Sequence, residues 1–561
     1  MGQNMVGWAQ LKVKGPAGTR VNLRFAEVLK PDGTLYVANL RGAKATDTYI
    51  LNGHGTEIWE PRFTWHGFRY VQVTGFPGKP DLHSIAGRIV NDDLPTNGTF
   101  ECSNPLLNQI YRAVVWGVRG NYHSIPTDCP QRDERQGWLG DRSEESRGET
   151  YLFDNSTLYA KWLQDMADAQ RPNGSVPDIA PAYWPIYSDD VVWPSSGIII
   201  PEMLREQYAD TEIIARHYDG AKKWVDFMSG FVTHGLISKD SYGDWCVPPE
   251  DPTLIHSQDP NRETDKTLLA TSYFYHDLCL MEEYAQMLGK TDDARQFRDQ
   301  AEKMKVAFND RFLNRDSGQY DNGSQTSCVL PLAFGLVPDD MRDRIFHHLV
   351  DKIVNESHGH IGTGLVGGQY LMRVLTDNGR ADLAYAMADQ KTYPGWGYMI
   401  EHGATTIWEL WNGNTADPEM NSRNHVMLVG DLVIWLYEDL AGIKPDPATP
   451  GFKHIIMQPH PVGDLTFVQA THRSPYGLIA SDWRRNGADF DWHIAIPVNT
   501  TATVYVPAKS IDQVVEDGRA ATSVRDIKFL GMENSYAVFN VGSGNYHFTS
   551  EGYSAHESLL R

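Results

Sequence analysis

The chain has 561 residues, 41% hydrophobic and 22% charged, which gives apolar surface for a large core and rules out both a small scaffold and a wholly disordered chain. Fifty Lys and Arg against 72 Asp and Glu leave a formal charge of −22, a field that repels phosphate backbones and anionic lipid. Nucleic acid and membranes are therefore excluded as expected partners.

The N-terminal stretch, from Gly2 to Val90, reads with period two. Ala9, Leu11 and Val13, then Val21, Leu23 and Phe25, then Val71 and Val73 alternate with polar residues, and Pro16 to Gly18 and Pro31 to Gly33 supply turns. This pattern predicts an antiparallel β-sandwich domain over residues 1–98 that begins abruptly in strand-like sequence. Residues 99–443 change to apolar spacings of three and four, predicting helices at 106–118, 156–169, 212–231, 267–288, 292–312 and 425–440 among about a dozen. Long Gly-, Pro- and Trp-rich loops between alternate helices fit six hairpins closed into an (α/α)6 toroid better than a short-looped bundle. After Pro447, alternation returns at Trp492, Ile494 and Ile496 and at Thr503, Tyr505 and Pro507, predicting a C-terminal antiparallel β-sandwich over residues 444–561.

The five cysteines are scattered and form no C-x-x-C pair, so neither a disulfide framework nor a thiolate zinc site is expected. Without a basic region followed by an apolar one near Met1, a cytoplasmic location is expected, with secretion the alternative if the natural N-terminus lies upstream. No metal or cofactor is expected. His347, His348, His358 and His360 read as a solvated helix face and its flank, because Arg342, Arg344 and Lys352 surround them. The sequence sets no oligomeric state, with a homodimer among the options.

Two clusters carry chemistry. In residues 128–141, four carboxylates (Asp128, Asp133, Glu134, Asp141), two arginines (Arg132, Arg135) and Trp138 occupy a loop bounded by Pro and Gly. A salt-bridged surface loop is the plain alternative, but it has no need of the Cys, Trp, Pro and Gly. In residues 393–411, Glu401 and Glu409 lie among Tyr393, Trp396, Tyr398, Trp408 and Trp411, with Glu409 expected at an exposed helix end. Two aromatic-lined acidic clusters in loops of one toroid suit a glycosidase, in which one carboxylic acid protonates the leaving oxygen and another carboxylate activates water. Serine-hydrolase and P-loop fingerprints are absent from the sequence, and Gly362, Gly364 and Gly367, in a helical setting without a preceding strand, make a poor dinucleotide fingerprint.

At these residues the chain resembles the glycoside hydrolase family 78 α-L-rhamnosidases. Residues 127–141 are similar to the family's most diagnostic loop, and Gly403, Ala404, Thr405, Thr406, Ile407, Trp408 and Glu409 are similar to its second catalytic segment. The resemblance extends over nearly the whole chain, without the further N-terminal β modules that many members carry. It implies hydrolysis of terminal non-reducing α-L-rhamnose from rhamnose-containing glycosides or oligosaccharides, by inversion. It further implies Glu134 as general acid, Glu409 as general base, and Asp128, Arg132, Trp138, Asp141, Trp193, Asp244, Trp245, Trp408 and His425 around the sugar. Trp138 is expected to shield the acid or pack on the C5 methyl of rhamnose. The segment between Glu409 and His425 is shorter than the family pattern, implying a different loop on the leaving-group side. The alternatives are another inverting (α/α)6 hydrolase, a polysaccharide lyase and a carbohydrate-binding protein; acid-rich clusters disfavour the last two.

Overall fold

The protein is described from a computed structural model covering residues 1–416 and 421–552. Its N-terminal part packs two small antiparallel sheets face to face. Met5–Lys14 pairs with Thr56–Trp59, His66–Phe68 and Ile85–Ile89, while Arg20–Ala26 lies between Thr46–Ile50 and Tyr70–Thr74. The alternating residues explain the packing: Leu11, Val13, Val21, Leu23 and Phe25 are buried together, and their neighbours face outward.

The middle of the chain is helical. Asn104 caps Pro105–Gly120, its side chain accepting from Leu106 N at 2.8 Å, with Pro105 at the first position where no backbone donor is needed. Asp265 caps Lys266–Met287 in the same way, and a tight connection leads straight back into Thr291–Phe312. Helices at 106–118, 156–169, 212–231, 267–288 and 292–312 are found within a few residues of their expected bounds. The last expected helix is not. Residues 425–431 are irregular and helical backbone begins only at Leu432. Asp431 turns its carboxylate onto the backbone N–H groups of Met372 and Arg373, and a side chain at Gly430 (φ +58°) would strike the Gly368 carbonyl, which fixes this stretch as a tight crossing.

The C-terminal part is a second sandwich of seven- and five-stranded sheets. One pair, His454–Met457 with Thr501–Pro507, runs parallel, a departure from the wholly antiparallel expectation. Gly98–Cys102, just before the first long helix, is the edge strand of the seven-stranded sheet through its pairing with Phe467–Ser474. This strand ties the entry of the helical domain to the C-terminal domain.

The helices fix where chemistry can occur. Asp141, Trp193 and His425 shortly precede Glu145–Leu152, Ser196–Tyr208 and Leu432–Ile434, whereas Glu206 and Glu438 lie towards the far ends of the last two helical segments. The loops before these helices gather at one mouth of the toroid.

Candidate active site

The acidic loop is closed by its own backbone. Asp128 N donates to Gln136 O at 2.9 Å, and Gln136 N donates back to Asp128 Oδ1 at 2.6 Å, so Arg132 and Glu134 stand on a small ring of chain. Two glycines seat that ring. A Cβ on Gly137 would lie 2.2 Å from Ala180 O, and one on Gly140 would lie 2.4 Å from the Trp193 ring. Only glycine permits these approaches.

Arg132, nearly inaccessible, joins the two acidic clusters. Its Nε donates to Glu134 Oε2 at 2.6 Å, and its Nη1 and Nη2 donate to Glu409 Oε2 and Oε1 at 2.6 and 3.0 Å. Trp138 donates its indole N–H to the other oxygen of Glu134 at 2.9 Å. Glu409 is held from behind as Ser422 N donates to its Oε2 at 2.8 Å, while Ser422 Oγ donates to Gln131 at 2.8 Å and so locks the two loops together. The expectation of an exposed Glu409 at a helix end is thus corrected: Glu409 is 2% exposed in an irregular segment, covered by the 421–425 stretch, and Glu401 is the exposed carboxylate, at the end of helix Trp396–Glu401.

Beneath this pair lie three groups that do not satisfy one another. His425 Nε2 is 3.9 Å from both Asp128 Oδ2 and Asp141 Oδ2, beyond hydrogen-bond range, and Asp128 Oδ2 is buried without a hydrogen-bond partner. Met427 N donates to His425 Nδ1, which assigns the imidazole proton to Nε2 and aims it at the carboxylates. Burial pushes the Asp128 carboxyl up to about 7, with the Glu134 charge adding and Arg132 opposing. Burial and then the Asp128 charge hold Asp141 well above its ordinary value, while burial and then Arg132 hold His425 well below its own. Orphaned donors and acceptors of this kind fit a ligand rich in hydroxyl groups.

These groups line a cleft of about 430 Å³ with Trp138, Trp193, Trp245, Tyr242, Met427 and Arg41. Trp193 packs obliquely on Tyr242, ring centroids 4.3 Å apart, and Tyr242 meets Trp138 and Trp245 edge-on, an aromatic wall for the apolar face of a ring. Asp128, Cys129 and Glu134 also offer ligand atoms within 4.8 Å of one another, but the Arg132 guanidinium already neutralises them, which disfavours a cation.

Two expected sugar ligands lie elsewhere. Asp244 does not line the cleft: Thr326 Oγ1 and the backbone N–H groups of Gly364, Val366 and Gly367 saturate its carboxylate, which caps the short helix Leu365–Gly368. Trp408 is buried behind Glu409 beneath the Arg423 guanidinium and supports the segment without reaching the cleft. Asp133 and Arg135, the remaining charged residues of the 128–141 loop, also point away; Asp133 accepts from Gly42 N, and Arg135 lies over Trp65. The segment between Glu409 and His425, expected to be short, includes residues 417–420, which lie outside the described residues.

Sequence reasoning missed the contribution of the N-terminal domain. Arg41, in a left-handed conformation after the turn Ala38–Leu40, places Nη1 2.9 Å from Glu134 Oε2. Glu27, fully buried, accepts from Asn4, Asn39 and the backbone N of Arg423, and Gln3 and Asn4 bond Thr405. The domain therefore grips both acidic loops. Its only sequence signal is a set of polar residues within a β pattern, which does not reveal what they meet.

The geometry agrees with what the chain resembles. The bacterial alpha-L-rhamnosidase six-hairpin glycosidase domain matches residues 95–440, with the family's concanavalin-like domain at 1–91 and its C-terminal domain at 442–521. An alpha-L-rhamnosidase of Streptomyces avermitilis is 39% identical over 98% of this chain and 51% of its own. Its crystal structure, complexed with L-rhamnose, superposes with a TM-score of 0.91 at 38% identity, covering 98% of this chain and 51% of that one. The alpha-L-rhamnosidase from Dictyoglumus thermophilum also gives a TM-score of 0.91, at 39% identity over 98% of this chain and 61% of that one. The chain spans about half of the first of these curated relatives and 59% of one from Formosa agariphila, which is 34% identical over 98% of this chain. With the six-hairpin domain and both flanking domains matched in order, the chain belongs to the bacterial alpha-L-rhamnosidase family.

Proposed function

We propose that the chain hydrolyses terminal α-L-rhamnosides with inversion, Glu134 donating a proton to the glycosidic oxygen and Glu409 taking one from the attacking water. The observation that carries this reading is the pair itself: two carboxylates from loops 275 residues apart in sequence, set on either side of one buried guanidinium at the neck of a single polar cleft. Arg132 bonds both carboxylates, and inversion requires that the pair stand roughly 6.5–9.5 Å apart with room for a water between them. Asp128 Oδ2, Asp141 and His425 Nε2 supply the hydrogen-bonding capacity that sugar hydroxyls would satisfy.

The substrate must replace part of the present hydrogen bonding of Glu134. Arg132 is buried and tied to Glu409, whereas Arg41 is 31% exposed, so Arg41 is the partner that yields when a leaving group enters. Trp138 holds the acid through its N–H, which supports the shielding role. Whether its ring also reads the C5 methyl is decided by Trp138→Ala. A fall in kcat/KM larger for an aryl α-L-rhamnoside than for the L-mannoside, by about 1–3 kcal/mol, means that it does; an equal fall means that it serves only the acid.

The test of function is a panel of aryl glycosides with the purified chain, with and without chelator. The expected result is selective release of L-rhamnose that chelation does not abolish. Faster turnover of an aryl glucoside, or activity that requires one added metal, overturns the reading.

A further inference from the structure

The outer face of the seven-stranded C-terminal sheet carries a row of polar side chains that the hydrolase reading does not use. In register across four strands stand Gln469, Asp482, His493 and His547, and Asp491 lies two residues before His493 on the same face. The opposite face of these strands, Phe490, Trp492, Ile494 and Phe548, is buried core, so the row sits on a rigid backing.

Three of these side chains converge. Asp491 Oδ2 is 2.9 Å from His547 Nε2 and Asp491 Oδ1 is 3.5 Å from His493 Nε2, while the two imidazoles stack with centroids 4.0 Å apart. All three ligand atoms lie within 4.8 Å of one another. Ligands held about 2.0–2.2 Å from a tetrahedral zinc ion stand a little over 3 Å apart, and the 2.9 and 3.5 Å separations, each to a different oxygen of Asp491, fall on either side of that distance. The rings are nearly parallel, with an interplanar angle of 11°, so binding an ion requires an imidazole to turn about its soft terminal torsion to bring the Nε2 lone pairs to one point. Behind His547, Asp517 Oδ1 is 3.9 Å from Nδ1, the side on which metal-bound imidazoles meet a carboxylate. Asp482, across from His493, is occupied by Gln469 and Arg484.

We propose that Asp491, His493 and His547 form a site for a divalent transition ion of the zinc class, with water as the fourth ligand. Two imidazoles and one carboxylate select zinc, cobalt or nickel over calcium or magnesium, which prefer all-oxygen shells. The ion would clasp neighbouring strands Asp489–Ile496 and Gly544–Ser550 on the solvent side. Among the described residues, none of the C-terminal domain lines the cleft, so the site is structural with respect to hydrolysis.

Titration of the chelator-treated full chain with Co2+ tests the proposal, since tetrahedral Co2+ gives intense visible bands. One equivalent should produce them, Zn2+ should bleach them by competition, and both His493→Ala and His547→Ala should abolish them. Asp517→Asn should weaken binding by about tenfold. His347→Ala, on a remote helix, should bind as wild type and serves with the aryl rhamnoside assay as the control for folding. Absence of tetrahedral bands in the wild-type chain, or bands that survive in the double variant His493→Ala/His547→Ala, overturns the proposal.

Discussion

The two ends of the helical domain hold buried charges in opposite ways. Away from the mouth, Arg147 is saturated: Nε and Nη2 hold Glu438 at 2.7 and 2.9 Å, Nη1 holds Glu206 at 2.7 Å, and Tyr151 donates to Glu438. Burial alone would raise the Glu438 carboxyl, yet Arg147 and Lys444 bring it below its ordinary value. At the mouth, Asp128 and Asp141 are equally buried but carry raised values, an orphan oxygen on Asp128, and a histidine just out of reach. Burying polar groups without partners costs stability, and it persists where a ligand supplies what the protein withholds. The contrast separates Glu438, whose charge the protein itself pairs, from Asp128 and Asp141, whose remaining hydrogen-bonding capacity faces the cleft.

Substitutions at the mouth should break activity and spare the fold. Glu134→Gln should lower turnover of unactivated rhamnosides by several orders of magnitude, and far less for a good leaving group, because an activated phenolate needs little protonation. Glu409→Gln should damage both alike, and Glu401→Gln, at an exposed position, should leave kinetics near wild type. Steady-state kinetics on paired substrates decide this; a severe Glu401→Gln with a mild Glu409→Gln would reassign the base.

At the other end the pattern should invert. Arg147→Ala strands two buried carboxylates and should cost about 3–5 kcal/mol of stability, seen as a lower urea midpoint, with turnover per folded molecule retained. Asp128→Asn, which removes a charged hydrogen-bond partner from the cleft, should cost about 1.5–3 kcal/mol in kcat/KM with little change in the urea midpoint. Arg41→Ala should act more weakly, changing kcat/KM severalfold and in a leaving-group-dependent way, because this guanidinium is partly solvated.

The smallest effect is a pH dependence. Burial raises Glu27 from 4.5 to about 7, against hydrogen bonds from Asn4 and Arg423, so folding takes up a proton there. The stabilising contribution is present in full below the unfolded value and is lost as pH rises through about 7. Glu27→Gln should flatten the fall in urea midpoint between about pH 5 and about pH 8; an unchanged slope would mean that Glu27 stays charged.

Much of this organisation was legible in the chain. Period-two and period-three-to-four patterning report burial, which sequence encodes directly, and Leu11 to Phe25 and the long pair 267–312 were placed by it. The Gly- and Pro-bounded acidic loop stood out as a site because its geometry needs those residues locally, while the choice of Glu134 within it came from the family resemblance. Environment was less legible. Glu409 is buried because the 421–425 stretch and the N-terminal domain close over it, and no local pattern records that cover. Asp244 lies beside Trp245 in sequence, but one faces backbone N–H groups and the other the cleft. Arg41, 93 residues from its partner Glu134, was invisible because the contact exists only through domain packing.

Inversion requires Glu134 and Glu409 to act on opposite sides of one rhamnosyl bond. Proton NMR of an aryl α-L-rhamnoside during its first turnovers tests this most directly. The β anomer of L-rhamnose should accumulate first and then mutarotate; first appearance of the α anomer would make Glu409 a nucleophile and contradict the account.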